Sequence, residues 1–172
     1  MTTALRGLVV AVLIVVTVTL QVSVFSHFAL DGVAPDLALL LVIGAALVRG
    51  PTYAALVGFA SGLVLDLAPP ADHTAGRWAL ALVLVGCLTG LAKPDGNPSI
   101  AGTVLVVASG AFIGTSLYAL SGLVLAEQSV TVASALQVVP IAIGYDVLLT
   151  PFVVPLLLVT FRRLEPAERW AR

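Results

Sequence analysis

The chain has 172 residues, 60% hydrophobic and 10% charged, with a formal net charge of −1 and a mean hydropathy of +1.14. A water-soluble domain is nearer half apolar and a quarter charged, so this composition excludes an ordinary soluble enzyme and points to a bilayer. One cysteine excludes an internal disulfide framework and any cysteine-based zinc or iron–sulfur centre.

A spanning helix takes roughly 20 residues, so the length accommodates about six crossings and leaves no room for a separate soluble domain. The expected fold is an all-α, polytopic membrane protein, with residues 1–172 as a single integral membrane domain. The apolar runs in chain order are residues 7–26, 36–48, 52–67, 78–92, 99–126 and 135–161, followed by a basic tail, 162–172. The first run ends in Val24-Phe25-Ser26-His27-Phe28, which offers no clean signal-peptidase site, so it is read as a retained helix. The second closes at Arg49-Gly50-Pro51 and the third at Ala68-Pro69-Pro70. The middle three are short, since about 15 residues reach only about 22 Å of a hydrocarbon layer roughly 30 Å thick. Either their ends extend into the flanks, or the second and third form a re-entrant hairpin.

Along six crossings, Arg6, Arg49, Lys93, Arg162, Arg163, Arg169 and Arg172 fall on one side and Arg77 alone on the other. That asymmetry predicts a multi-pass protein of the bacterial inner membrane with both termini in the cytoplasm.

The ionisable residues within or beside the spans carry what chemistry there is. Asp36 follows Pro35 and opens the second span, as a helix-start signal would. Arg49 closes the same helix, as the dipole favours. Asp66 sits at the C-terminal end of the third span, where the dipole disfavours an anion. It therefore needs a partner, for which Arg77 is one candidate, or it touches a ligand or another protein. Asp146 lies about eleven residues into the last span, near the expected bilayer middle, with no basic residue at that depth. A carboxylate there costs several kcal/mol unless it is compensated, which makes it a functional-site candidate or an acid hydrogen-bonded to a neighbouring helix. Pro140, Gly144, Pro151 and Pro155 predict that this last helix is kinked or partly broken near Asp146.

Gly58/Gly62, Gly86/Gly90 and Gly110/Gly114 form three GxxxG pairs, which serve either packing within the chain or a groove for a partner's helix. Nothing at ligand spacing supports a metal site among His27, Asp31, Asp72 and His73, and Cys87 reads as a small apolar residue. The tail, with Trp170 among its arginines, suits the headgroup layer or a cytoplasmic docking protein. No phosphate-binding glycine loop, HExxH or GxSxG motif is present, so no enzyme, cofactor or nucleic-acid partner is expected.

The order of features from Pro35-Asp36-Leu37, through Arg49-Gly50-Pro51, to Ala55-Leu56-Val57-Gly58-Phe59-Ala60-Ser61-Gly62-Leu63-Val64-Leu65-Asp66 resembles the bacterial rod shape-determining protein MreD family. Tyr145-Asp146-Val147-Leu148-Leu149-Thr150-Pro151 and the basic end extend the likeness, although family members often carry Asn at the position of Asp146. The resemblance implies a non-enzymatic scaffold of the cell-wall elongation complex, supporting lateral peptidoglycan synthesis. Its implied partner is the coiled-coil protein MreC, with MreB, RodA and a wall transpeptidase of the penicillin-binding class as further members. It also implies a fold similar to the substrate-binding subunits of energy-coupling-factor transporters, and hence an alternative function as a solute-binding membrane subunit. Helix one lacks the AxxxA stripe by which such subunits dock, which weighs against that alternative. On the scaffold reading, the hairpin of spans two and three, bounded by Asp36, Arg49 and Asp66, is the expected partner-facing surface. Asp66→Ala is then expected to weaken complex recovery without loss of protein.

Overall fold

The computed structural model describes residues 2–69, 74–93, 99–127 and 131–165, and they are all-helical. Six α-helices occur: α1 (Thr3–Ser23), α2 (Leu37–Arg49), α3 (Pro51–Leu67), α4 (Arg77–Leu91), α5 (Ile100–Val124) and α6 (Val132–Arg163). Each of the six apolar runs is one helix, with ends moved by a few residues. Three of them, α1, α5 and α6, are long and apolar enough to cross a membrane; α2, α3 and α4 are shorter apolar helices. Asp72, His73 and the tail residues Arg169, Trp170 and Arg172 lie outside the described residues.

The helices are arranged around α2. Every residue from Leu37 to Val48 is buried, and α2 touches α1, α3, α4, α5 and α6. The reason is in its composition: from Leu37 to Val48 it offers no polar side chain to any side, and a helix that is apolar all round is stable only when surrounded. The outer helices form a ring in the order α1, α3, α4, α5, α6. It stays open between α1 and α6, where the Tyr145 hydroxyl donates to the Phe28 carbonyl. Large apolar side chains point outward from every ring helix, among them Leu8, Val12, Phe59, Leu84, Leu105, Phe152 and Leu156. Such a surface is incompatible with water on this scale and suits lipid.

Short local signals set the ends. After α1 the chain makes a 3-10 turn, Phe25–Phe28, then a tight reversal at Asp31-Gly32, with φ of 50° and 80°. The flanking Leu30 and Val33 exchange backbone bonds of 3.0 and 2.9 Å, the two-residue Asp-Gly loop in miniature. Asp36 then caps α2, its carboxylate accepting from the Leu39 N–H at 2.9 Å. At the other end Gly50, at φ +84°, turns the chain into Pro51 at the start of α3.

The last helix is not broken near Asp146. α6 runs unbroken through Pro140, Pro151 and Pro155 for 32 residues. All three prolines lie on its exposed side, where the rings have room.

Candidate functional site

The charged residues separate into two ends and one interior node. At one end Arg6 and Arg49 line the same cavity between α1 and α3. The Lys93 ammonium donates to the Val48 carbonyl at 2.9 Å, and Arg49 donates to the Leu164 carbonyl at 3.4 Å, next to Arg162 and Arg163. Five of the seven cations assigned to one side therefore gather at one end of the bundle, and Arg169 and Arg172 lie outside the described residues.

The opposite end holds Asp66, 1% exposed at the last turn of α3. Its carboxylate accepts three backbone N–H groups at the start of α4: Gly76 at 2.8 Å, Trp78 at 3.1 Å and Ala79 at 3.1 Å. The first amides of a helix have no partner within it and carry its positive end. α4 starts at Gly76, which has no side chain to cap them, so the preceding helix supplies the cap. The Arg77 side chain, also buried, reaches toward α5. It donates to the Ser121 hydroxyl at 3.0 Å and the Tyr118 carbonyl at 2.6 Å, pairs with Glu127, and lies 3.9 Å over the Tyr118 ring. Tyr118 in turn stacks on Trp78 at 4.3 Å. Glu127 also accepts the Thr74 N–H at 2.9 Å. That bond, aided by the Arg77 charge, holds the Glu127 carboxyl below its ordinary value. The chain at this end is thus tied to α3, α4 and α5 through one polar clamp.

The interior node joins the two other acids. Asp146, fully buried, accepts the Asp36 N–H at 2.9 Å through Oδ1, while its Oδ2 is buried with no hydrogen-bond partner. The partner of Asp146 is therefore the start of α2, and not a Ser or Thr of a neighbouring helix; Thr150 instead donates to the Asp146 carbonyl at 2.7 Å. Gln21 of α1 completes the node by accepting the Ala38 N–H at 2.9 Å. Two acids and an amide from three helices thereby satisfy the first amides of α2. The sequence singles out both acids but not that they meet, and not Gln21, whose signal is the one side-chain amide in the first span.

The glycine pairs are spent inside the chain. A Cβ at Gly58 or Gly62 would collide with the backbone of Leu82 or Ala79, and one at Gly86 or Gly90 with the backbone of Ala54 or Pro51. α3 and α4 are therefore in backbone contact along two interlocked GxxxG pairs, and no partner helix can enter there. Gly110 and Gly114 likewise face Ile43, Leu39 and Val85. Of the hairpin of helices two and three expected to face a partner, only the outward side of α3, with Leu56, Phe59 and Leu63, is exposed. α2, from Asp36 to Val48, is enclosed by its own chain, so Asp36 presents no surface, and Asp66 faces α4.

No cluster of three or more His, Cys, Asp or Glu able to hold a metal occurs among the described residues. Compared with protein-family models, with curated proteins and with solved structures, the chain gives no match.

Proposed function

We propose that the chain is a non-enzymatic, six-span membrane scaffold of the MreD type, which supports lateral cell-wall synthesis by docking a partner's transmembrane helix. One observation carries this reading. Before Ala142 no residue of α6 is buried, so its first turns are the least covered part of the helix. Between α5 and α6 lies an open apolar groove of about 540 Å³, walled by Phe112, Ser116, Ala119 and Leu123 of α5 and by Ala135, Leu136 and Val139 of α6. Small residues in such a groove let a further helix approach closely, which is what drives association where lipid is as apolar as protein. The buried acids and the buried Arg77 each hold backbone or one another, as structural groups do, and none is grouped with a nucleophile or a metal-binding set. The partner that fits is a single-span protein whose helix passes the groove at the end remote from the basic cluster. By resemblance that is MreC, with RodA, the wall transpeptidase and MreB recruited around it.

The test is brief cross-linking in native membranes, mild-detergent purification and mass spectrometry, on the wild type and on Ala119→Leu and Ala135→Leu. Recovery of the coiled-coil shape protein that is lost in both variants supports the reading. Recovery of ATPase subunits with their coupling protein instead assigns the bundle to the solute-binding alternative.

A further inference from the structure

A second cleft lies at the other end of the molecule and plays no part in docking a helix. It is a cavity of about 430 Å³ between α1 and α3. Its long walls are apolar and smooth, formed by Gly7, Val10 and Ala11 of α1 and Leu56 and Ala60 of α3, and its basic end is formed by Arg6 and Arg49. The Arg6 Nε is buried and has no hydrogen-bond partner. Arg49 is held 4.2 Å over the Tyr53 ring and spends one donor on the Leu164 carbonyl. A guanidinium has five N–H donors, so that contact positions Arg49 without exhausting it.

We propose that this cleft binds one anionic glycerophospholipid, its phosphate between Arg6 and Arg49 and one acyl chain laid along the α1–α3 groove. A buried donor without an acceptor is costly, and a phosphate oxygen is the acceptor a guanidinium takes best, often through two parallel bonds. Basic pockets between membrane helices at the cytoplasmic side recognise anionic headgroups in this way. A zwitterionic lipid would bring its own ammonium group to two guanidinium groups and gains less. Inorganic phosphate would leave the apolar walls unused. The inference rests on the chain lying in a bilayer, and is independent of which helix it docks.

The experiment uses the full chain in phosphatidylcholine vesicles doped with spin-labelled phosphatidylglycerol or spin-labelled phosphatidylcholine, reading the motionally restricted fraction of each label. The wild type is expected to restrict phosphatidylglycerol about fivefold more strongly, and the Arg6→Gln/Arg49→Gln variant to lose the preference. Gly7→Leu is the second probe, because a Cβ there meets nothing within 4 Å. It leaves the fold intact and fills the groove, and should lower restriction of both labels. Equal restriction of the two lipids by the wild type overturns the proposal, as does a preference that survives loss of both arginines. Displacement of the label by millimolar inorganic phosphate, or by polyprenyl phosphate but not unlabelled phosphatidylglycerol, also overturns it. Co-purification of the helical partner should be unchanged in Gly7→Leu, which separates this outcome from failure of the scaffold reading.

Discussion

The α3–α4 and α5–α6 hairpins have the same topology and nearly the same apolar composition, yet one is closed and the other open. In α3–α4, glycine meets backbone at four levels, and the loop end is locked by Asp66 on the first amides of α4. In α5–α6, an open groove lies between the two helices, walled by Ala119 and Ala135 among others. The difference teaches where small residues finish a fold and where they leave a surface. Glycines that face backbone within the chain are already used, whereas alanines and a serine facing an unfilled cleft remain to be used.

The strongest way to break this contrast is to force α3 and α4 apart. Gly62→Leu puts a side chain into the Ala79 backbone, which cannot move without breaking the α4 start. Overpacking of this kind is expected to cost about 3 kcal/mol or more, read as loss of folded protein in detergent unfolding. The equivalent change in the open hairpin, Ala135→Leu, should leave stability within about 0.5 kcal/mol of wild type. Equal losses in the two variants would mean that α5–α6 is as tightly closed as α3–α4.

Next in size is Asp66→Ala. The sequence alone led to an expected effect on complex recovery without loss of protein, and the geometry reverses that. Removing the carboxylate strips a cap worth about 1 kcal/mol and leaves the buried Ala79 N–H without an acceptor at about 1–3 kcal/mol, so a loss of about 2–4 kcal/mol is expected. Thermal unfolding in micelles checks it. Unchanged stability with weakened partner recovery would restore the surface role.

These cases mark what was legible. Six helices and their ends could be read because each rests on local signals: an apolar run, Pro35-Asp36 at a start, Arg49-Gly50-Pro51 at a stop. The burial of α2 is also written in the sequence, in its lack of any polar face from Leu37 to Val48. Which groups meet was not legible, because Asp36 and Asp146 are 110 residues apart and join only when α2 and α6 pack. Nor could the sequence say that Asp66 serves amides ten to thirteen residues later, since any buried acid near a loop has several partners in reach.

A smaller effect sharpens the comparison of Asp66, with three amides, and Asp146, with one and an unpartnered oxygen. Asp146→Leu orphans the buried Asp36 N–H and should cost about 1–3 kcal/mol. Asp146→Asn keeps an acceptor at Oδ1 and places a donor where the unpartnered oxygen stands, so it should be close to neutral. The pair of variants is measured by unfolding in the same detergent. A cost for Asn as large as for Leu would show that the second oxygen has an essential acceptor role.

The smallest expected effect is on pH dependence, and it isolates the clamp from the membrane-buried groups. Glu127 lies in the α5–α6 connection, and the Thr74 amide together with Arg77 lowers its carboxyl in the folded chain. A group lowered on folding contributes stability that is complete above its unfolded value, near 4.5, and is lost as the pH falls through the folded value. The wild type should therefore lose part of its stability on acidification below about pH 4.5, and Glu127→Gln should lose correspondingly less over that interval while starting lower at neutral pH. Unfolding curves between pH 3 and pH 7 read the difference. Identical pH slopes in the two proteins would mean that the Glu127 carboxylate is not what ties the α5–α6 connection to Thr74 and Arg77. The closed character of that end would then rest on Asp66 with the α4 amides and on the contacts of Arg77 with Ser121 and Tyr118.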